Sequence, residues 1–402
     1  MTSLIAWLDS TPEDQRAARE IVNLFAQRES RDELGIGQIR DALSDVIVPG
    51  TSTLHTRARY FLFIPWCYTQ GSARGCSGEQ LKARGKQQER ELISVLKKQT
   101  SGEFGLIGVN VGASVKNLPS ALYWSGMQQY GIVGRATDSS SIGSLAKQVV
   151  EGATELAERR SSQWRLDIPP PPGDNFPTDL TGGFDLTRDE ADWLRERITS
   201  TSGGSVLAHM VATDHVWDAD YPWLQVSARD FPIMEHAELF SGLLNGAALL
   251  YNLLIAEEYD ADPNLTRLDN MAEEYRTKID TWHADFLTST EHRLAAWDTS
   301  DFWHVVTDAN PNISQQTRTF VNVWLERVRG LSTGSRLYDS APLRDWVRFR
   351  EKRKGKQSRL LNPKMRATWS GAAGTGRLDF RWGTVKTIVG DIQRGRGDDA
   401  AS

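Results

Sequence analysis

The fold class of this chain is decided by the stretch Arg31–Trp66, RDELGIGQIRDALSDVIVPGTSTLHTRARYFLFIPW. Before its break at Pro49-Gly50, apolar residues recur at spacings of three and four positions: Ile36, Ile39, Leu43 and Ile47. This spacing places them on one face of a helix. Pro49 ends that helix, because proline lacks a donor and disfavours the helical region for the residue before it.

A second helix is predicted directly after the break, since Thr51, Ser52 and Thr53 are favoured N-cap residues. Its apolar side would carry Leu54, Ala58, Phe61 and Leu62, while His55, Arg57 and Arg59 would project elsewhere. Two helices joined by a tight turn and followed by cations are typical of DNA-binding modules. They are equally typical of a plain helical hairpin, so both interpretations of Arg57 and Arg59 stay open.

The rest of the chain repeats the helical spacing, and we predict a mainly α, multi-helix protein with few short strands. Within the N-terminal part, the aromatic helix Ser120–Tyr130 follows a charged helix, Glu79–Gln99. This pair predicts either a helix-turn-helix or winged-helix-like core, or a helical bundle in which Tyr123, Trp124 and Tyr130 are all buried.

A change of composition predicts the domain boundary. Pro169–Pro172 is a run of four prolines, which is stiff and extended and cannot be helical. We therefore predict an N-terminal helical domain over 1–162, a proline-rich linker over 163–184, and a C-terminal helical domain over 185–402.

Five stretches together resemble the bacterial family of unknown function DUF6361. In chain order they are RDELGIGQIRDAL, PGTSTLHTRARYFLFIPW, LPSALYWSGMQQYGI, LFSGLLNGAALLYNLL and RLDFRWGTVKTIVGDI. The resemblance spans nearly the whole chain. It implies a component of a bacterial anti-phage defence cluster, encoded beside helicases and phospholipase-D-like nucleases. It implies no catalytic residue, because the family has no established activity.

Composition is that of an ordinary globular protein, with 25% charged and 39% hydrophobic residues. Cys67 and Cys76 match no zinc spacing and are interpreted as free thiols of a reducing, cytoplasmic compartment. Met1–Leu8 lacks the basic start and the apolar core of a signal peptide. The longest apolar helical run, 237–256, contains Glu238, Asn245 and Asn252, so we expect a buried helix and no membrane partner.

Charge is distributed unevenly along the chain. The basic segment, which we define as Arg344–Arg366, holds ten Lys or Arg against Asp345 and Glu351, a net charge of +8. Because the whole chain carries −5, the remaining residues sum to −13. This distribution differs from that of a protein that coats DNA uniformly, and it is compatible with one local site for an anionic partner.

Nucleic acid, expected to be DNA, is the partner that this segment predicts, because cations pair with phosphates and aromatic rings stack on bases. Trp346, Phe349 and Trp369 are interleaved with the cations and could stack on bases or anchor the helix. The alternatives are a solvated surface helix and a contact with an acidic partner or acidic part of the chain. The predicted contacts are Arg350, Lys352, Arg353, Lys354, Lys356, Arg359 and Lys364, with Arg57 and Arg59 as further candidates.

The best catalytic candidate is a set of imidazoles and carboxylates, His209, Asp214, His215 and Asp218, of the kinds that zinc or manganese sites use. Their spacing matches no standard metal motif. The chain also lacks G-x-S-x-G, a P-loop and the paired H-x-K of phospholipase-D nucleases. We therefore expect no cofactor and no recognisable catalytic motif.

Three functions are compatible with the sequence. The first is a non-catalytic nucleic-acid-binding or scaffold subunit of a bacterial anti-phage defence assembly, acting with a helicase and a phospholipase-D-like nuclease. The second is a metal-dependent phosphodiesterase or nuclease that uses the His209–Asp218 residues. The third is an adaptor that binds only proteins.

Overall fold

The computed structural model of the protein describes residues 34–69, 78–100, 104–134, 164–265, 268–331 and 334–397. Helices dominate these ranges, which confirms the mainly α class. In chain order they are α1 (Gly37–Ile47), α2 (Tyr60–Thr69), α3 (Gly78–Gln99), α4 (Pro119–Gln129), α5 (Arg188–Thr201), α6 (Val206–Ala212), α7 (Ile233–Asp260), α8 (Met271–Trp282), α9 (Thr288–Ala296), α10 (Thr299–Ala309), α11 (Gln315–Arg329), α12 (Ala341–Lys352), α13 (Pro363–Ala367) and α14 (Trp382–Gly397). The few short strands that the sequence predicted are not found in these ranges, where Val133 and Trp164 form an isolated antiparallel bridge.

The first half of the organising stretch is as predicted. Helix α1 spans Gly37–Ile47, and Ile39, Leu43 and Ile47 on its apolar face are fully buried. Gly50 then adopts a φ of +77°, which suits a residue without a Cβ at the end of the helix.

The second predicted helix starts later than the cap residues Thr51–Thr53 indicated. Helix α2 begins at Tyr60, and Leu54, placed on the apolar side by the sequence, is 43% exposed. Distant side chains hold the intervening backbone instead. The N–H of Thr56 donates to the hydroxyl of Tyr123 at 2.7 Å, and the N–H of Ala58 donates to Asp391 at 2.9 Å.

The chain divides into two compact units, the first formed by Met1–Leu43 and Glu235–Leu378 and the second by Ser44–Met234 and Asp379–Ser402. The proline-rich boundary predicted at 163–184 therefore differs from the observed division. The described part of that segment packs within the second unit, where the carbonyl of Pro169 accepts a hydrogen bond from the Trp66 indole at 2.7 Å. A segment with a buried side-chain partner is part of a core and does not act as a free linker.

In the first unit, α7 supplies the central core surface. Gly242 lets the ring of Phe286 approach the α7 backbone, and Gly246 lets the ring of Trp282 approach it. The Trp282 indole also donates to the carbonyl of Gly242 at 2.7 Å. Trp324 likewise donates to the carbonyl of Leu243. By length and composition α7 could cross a membrane, but 94% of its most apolar window is buried within the protein, as in a core helix.

The core of the second unit surrounds α2, which is apolar on every side and buried from Tyr60 to Tyr68. Tyr123, Trp124 and Tyr130 from the region of α4 are buried as well. This burial favours the helical-bundle interpretation of the N-terminal part over a winged helix. The stretch 139–160, one of those whose apolar spacing in the sequence is helical, lies outside the described residues.

Candidate nucleic-acid interface

Helix α12 positions the first half of the basic segment. Ser340 caps its start by accepting a hydrogen bond from the N–H of Leu343, and a proline occupies its first turn. Its buried residues are Leu343, Val347 and Glu351. The cations of this helix therefore lie along its partly or fully exposed sides.

Glu351 ties the following loop to the helix. Its buried carboxylate accepts a hydrogen bond from the N–H of Arg359 at 2.7 Å and lies 2.7 Å from the Lys354 ammonium. Arg359 also donates to the hydroxyl of Tyr251 at 3.2 Å, and Lys354 lies over the ring of Tyr251. Lys354 and Arg359, both predicted contacts, are thus occupied in holding the loop.

Two more cations of the segment meet carboxylates of their own unit. Arg344 pairs with Glu257 at 2.5 Å, and the buried Arg366 lies 3.4 Å from a carboxylate oxygen of Glu258. The intramolecular acidic contact that the sequence left open as an alternative therefore applies to these two residues.

Four predicted contacts remain at the surface: Lys352, Arg353, Lys356 and Lys364. All four are exposed, and within the described residues none of them has a carboxylate partner. We call these four residues the exposed cations. They lie between the last residue of α12 and the short helix α13, so they place positive charge in one short region of the chain.

A cleft of about 320 Å³ lies between α11 and α12, and one of the exposed cations, Arg353, lines it. Its lining consists of Gln315, Gln316, Thr319, Phe320, Trp346, Phe349, Arg350 and Arg353, and contains no carboxylate. Arg350 forms part of the wall: it donates to the carbonyl of Leu34 at 2.8 Å and to the hydroxyl of Thr317 at 3.1 Å. This predicted contact is therefore half-buried and largely fixed.

Three rings of the cleft form a stack, which we call the aromatic ladder: Phe320, Trp346 and Phe349. The Phe320 and Trp346 centroids are 6.2 Å apart with 13° between the ring planes, and the Trp346 and Phe349 centroids are 5.4 Å apart with 11° between the planes. Phe349, at the outer end, is 51% exposed. Offset parallel stacking at these distances is favourable and holds each ring in one orientation.

Each ring of the ladder also carries a guanidinium. Arg350 lies 5.4 Å from the centroid of Phe320, Arg327 lies 5.1 Å from that of Trp346, and Arg353 lies 5.8 Å from that of Phe349. Cations at these distances are attracted by the electrons of the ring face. The cleft therefore combines planar aromatic surface with positive charge, the chemistry that nucleic acids match.

The chain matches the model of the family of unknown function DUF6361 over residues 2–395. It belongs to that family. No curated protein and no solved structure matches this DUF6361 chain.

Arg57 and Arg59 of the DUF6361 protein occupy buried ion pairs, which is at odds with their prediction as nucleic-acid contacts. Arg57 lies 3.0 Å from Asp391, and Arg59 lies 2.9 Å from Glu190, with all four side chains nearly inaccessible to solvent. Guanidinium groups that are held by carboxylates inside a core cannot reach a phosphate. Both residues therefore lie outside the interface.

Trp369 is also a core residue. It is 1% exposed, and its indole donates to the side chain of Asn252 at 3.2 Å. The base-stacking alternative for this ring is therefore excluded, whereas Trp346 and Phe349 lie in the cleft.

Each of the four residues of the candidate metal site contacts other side chains. Asp214 pairs with Arg396 at 2.9 Å, Asp218 accepts a hydrogen bond from Gln225, and the rings of His209 and His215 both pack against Trp217. No group of three or more His, Cys, Asp or Glu residues converges anywhere in the described part of the DUF6361 chain. The phosphodiesterase alternative thus has no ligand set there.

Sequence reasoning missed the α11 side of the cleft. Phe320, Gln315 and Gln316 lie roughly thirty positions before the α12 residues that they face. The only available signal was the apolar spacing of α11, which predicted a helix but not which helix it contacts.

Proposed function

We propose that this DUF6361 protein is a non-catalytic nucleic-acid-binding or scaffold subunit of a bacterial anti-phage defence assembly. The observation that carries the proposal is the set of exposed cations. Charges that lack a carboxylate partner within the described residues are available to phosphates, and each phosphate contact releases counterions. Contacts of this kind position a nucleic acid without reading its sequence.

The assembly part of the proposal rests on the family resemblance. Motifs similar to those of defence-cluster components imply a helicase and a phospholipase-D-like nuclease as partners, with DNA as the nucleic acid. A subunit that binds DNA and carries no recognisable catalytic motif would hold the strand for enzymes supplied by those partners. A cytoplasmic location follows from the same role.

Charge reversal tests the proposal. In the test variant Lys352, Arg353, Lys356 and Lys364 are all changed to Glu, and binding to a fluorescently labelled 30-nucleotide DNA is measured by anisotropy at low salt. We expect most of the affinity to be lost for every sequence tested. Lys354 is left unchanged, because removing it would leave the buried Glu351 without its cation.

The matched control reverses four exposed cations outside the basic segment: Arg84, Lys98, Lys116 and Arg229. It changes the net charge by the same amount as the test variant does. Because it leaves the exposed cations in place, it should keep most of the affinity. Equal binding by the wild-type protein and the test variant would contradict the proposal and favour the protein-binding adaptor. A pull-down of the native protein with and without nuclease treatment then separates direct protein partners from those tethered by nucleic acid.

A further inference from the structure

We propose that the exposed ring of Phe349 is a stacking site for a base of single-stranded nucleic acid. This inference rests on the proposed function and deepens it, because it names which form of nucleic acid the cleft accepts. The exposed cations can bind the phosphates of single strands or of duplexes. The Phe349 ring can stack only on a base that is not already stacked between neighbouring bases.

The position of Phe349 supports a ligand-binding role. Trp346 stacks on it, and Trp346 is itself held by Phe320 and by a hydrogen bond from its indole to the carbonyl of Phe320 at 3.2 Å. The outer ring is thus half exposed yet fixed in orientation. A rigid aromatic surface that solvent can reach costs little ordering when a planar group stacks on it.

The positive charge of the cleft lining favours an anionic ligand. Arg350 and Arg353 are the charged residues of its lining, and no carboxylate lies among the eight lining side chains. Arg353 lies over the Phe349 ring, is exposed, and has no carboxylate partner within the described residues. Its guanidinium can therefore turn from the ring to a phosphate when a base arrives, with Lys352 and Lys356 beside it in sequence.

Two amides complete the chemistry. Gln315 and Gln316 line the α11 side of the cleft, and each side chain offers both a donor and an acceptor to a base edge. The volume of about 320 Å³ is at the lower end for small-molecule sites and suits one planar group. A duplex cannot use the site without unpairing, since its bases are already stacked on one another.

A proline-rich peptide is the other ligand class that aromatic grooves accept. Such peptides are recognised by apolar contact and need no cation. The guanidinium on each ring and the adjacent exposed cations therefore favour the nucleic acid.

The test uses the full chain and three strands of equal length: single-stranded DNA containing 2-aminopurine, the same sequence as a duplex, and an abasic single strand. For the wild-type protein we expect quenching of 2-aminopurine on binding and weaker binding of the abasic strand. Phe349→Ala should weaken single-strand binding by roughly 5- to 150-fold and abolish the quenching. Duplex binding should change little.

Phe349→Tyr is the matched control, because it keeps a ring of the same size at the same position. It should retain both the affinity and the quenching. Since Phe349 is half exposed, circular dichroism should show unchanged helicity for both variants.

The possible failures are distinguishable. Single-strand binding and quenching by Phe349→Ala equal to those of wild type would overturn the stacking site and leave the exposed cations as the interface. Displacement of the strand from the wild-type protein by a proline-rich peptide, together with binding of the abasic strand at full affinity, would identify a peptide groove instead. Absence of any nucleic-acid binding by the wild-type protein would overturn both this inference and the proposed function.

Discussion

The ring of Trp346 stacks on the ring of Phe349 with 5.4 Å between centroids and 11° between planes. These two residues are three positions apart on α12, the spacing that places side chains on one face of a helix. The buried side of this helix is carried by other residues, among them Leu343 and Val347. Trp346 binds α12 to α11 through Phe320, whereas Phe349 is half exposed at the outer end of the pair, where it can contact a ligand.

Truncation of Trp369 should destabilise the protein far more than truncation of Phe349. Trp369→Ala empties a buried site beside Asn252 and should lower the free energy of unfolding by about 3–5 kcal/mol. Phe349→Ala should lower it by less than about 1 kcal/mol, because the ring is half exposed. Urea denaturation of both variants checks this. Equal losses would mean that Phe349 is a core residue and would contradict its assignment to the interface.

The buried pair of Arg57 and Asp391 should be essential for folding. Asp391→Ala removes the buried carboxylate that accepts hydrogen bonds from both the Arg57 guanidinium and the N–H of Ala58, and it should cost about 3–5 kcal/mol of unfolding free energy. Asp192→Ala, which removes a half-exposed partner of Arg396, should cost less than about 1 kcal/mol. Chemical denaturation measures both. A loss for Asp391→Ala as small as the control's would show that Arg57 is able to reach solvent.

Gly246 should not tolerate a side chain. A Cβ at this position would lie 2.6 Å from the Trp282 ring, so Gly246→Ala should destabilise the protein by about 1–3 kcal/mol. Gly383→Ala in α14 is the matched control, because its Cβ would meet no atom within 4 Å, and it should gain up to about 1 kcal/mol. The two shifts in thermal unfolding should therefore have opposite signs; a gain for both would contradict the close packing of Trp282 on α7.

His55 should make the protein less stable as the pH falls. Burial against Tyr123 lowers the pKa of His55 to about 4, while the unfolded chain takes up the proton near 6.5. Between these values the unfolded state binds more protons, so stability is complete above about pH 6.5 and decreases down to about pH 4. The loss attributable to this group is on the order of 3 kcal/mol.

The control for this prediction is His55→Gln, which does not titrate and retains a donor for the carbonyl of Leu122. Unfolding free energies of both proteins are measured from pH 7.5 to pH 4. The advantage of the wild-type protein should shrink as the pH falls. A difference that is constant over this range would contradict the neutral, buried state of His55.

Local sequence patterns predicted those parts of the fold that depend on neighbours along the chain. The spacing of Ile39, Leu43 and Ile47 predicted α1, and the polar residues within the apolar run 237–256 predicted that α7 is a buried helix. The start of α2 was predicted wrongly, because the backbone before it bonds to Tyr123 and Asp391, 67 and 333 positions away. Single-sequence patterns carry no information about such distant partners.

The same limit determines which features of the candidate site could be predicted from the sequence. The charge of the basic segment and the aromatic residues of α12 are local features that the sequence displays directly. Whether a cation is free or paired depends on distant carboxylates such as Glu257, Glu190 and Asp391, which the sequence does not associate with any particular arginine. Phe320, which completes the aromatic ladder, was missed for the same reason.

The dependence of DNA affinity on salt tests the central claim most directly. For a single strand, log Kd should rise with log salt concentration by roughly 0.7 per phosphate neutralised. If the exposed cations Lys352, Arg353, Lys356 and Lys364 bind the backbone, reversing all four to Glu should reduce this slope by about three, whereas the control reversal of Arg84, Lys98, Lys116 and Arg229 should leave it nearly unchanged. Identical slopes for the wild-type protein and the test variant would contradict the assignment of the exposed cations to nucleic acid.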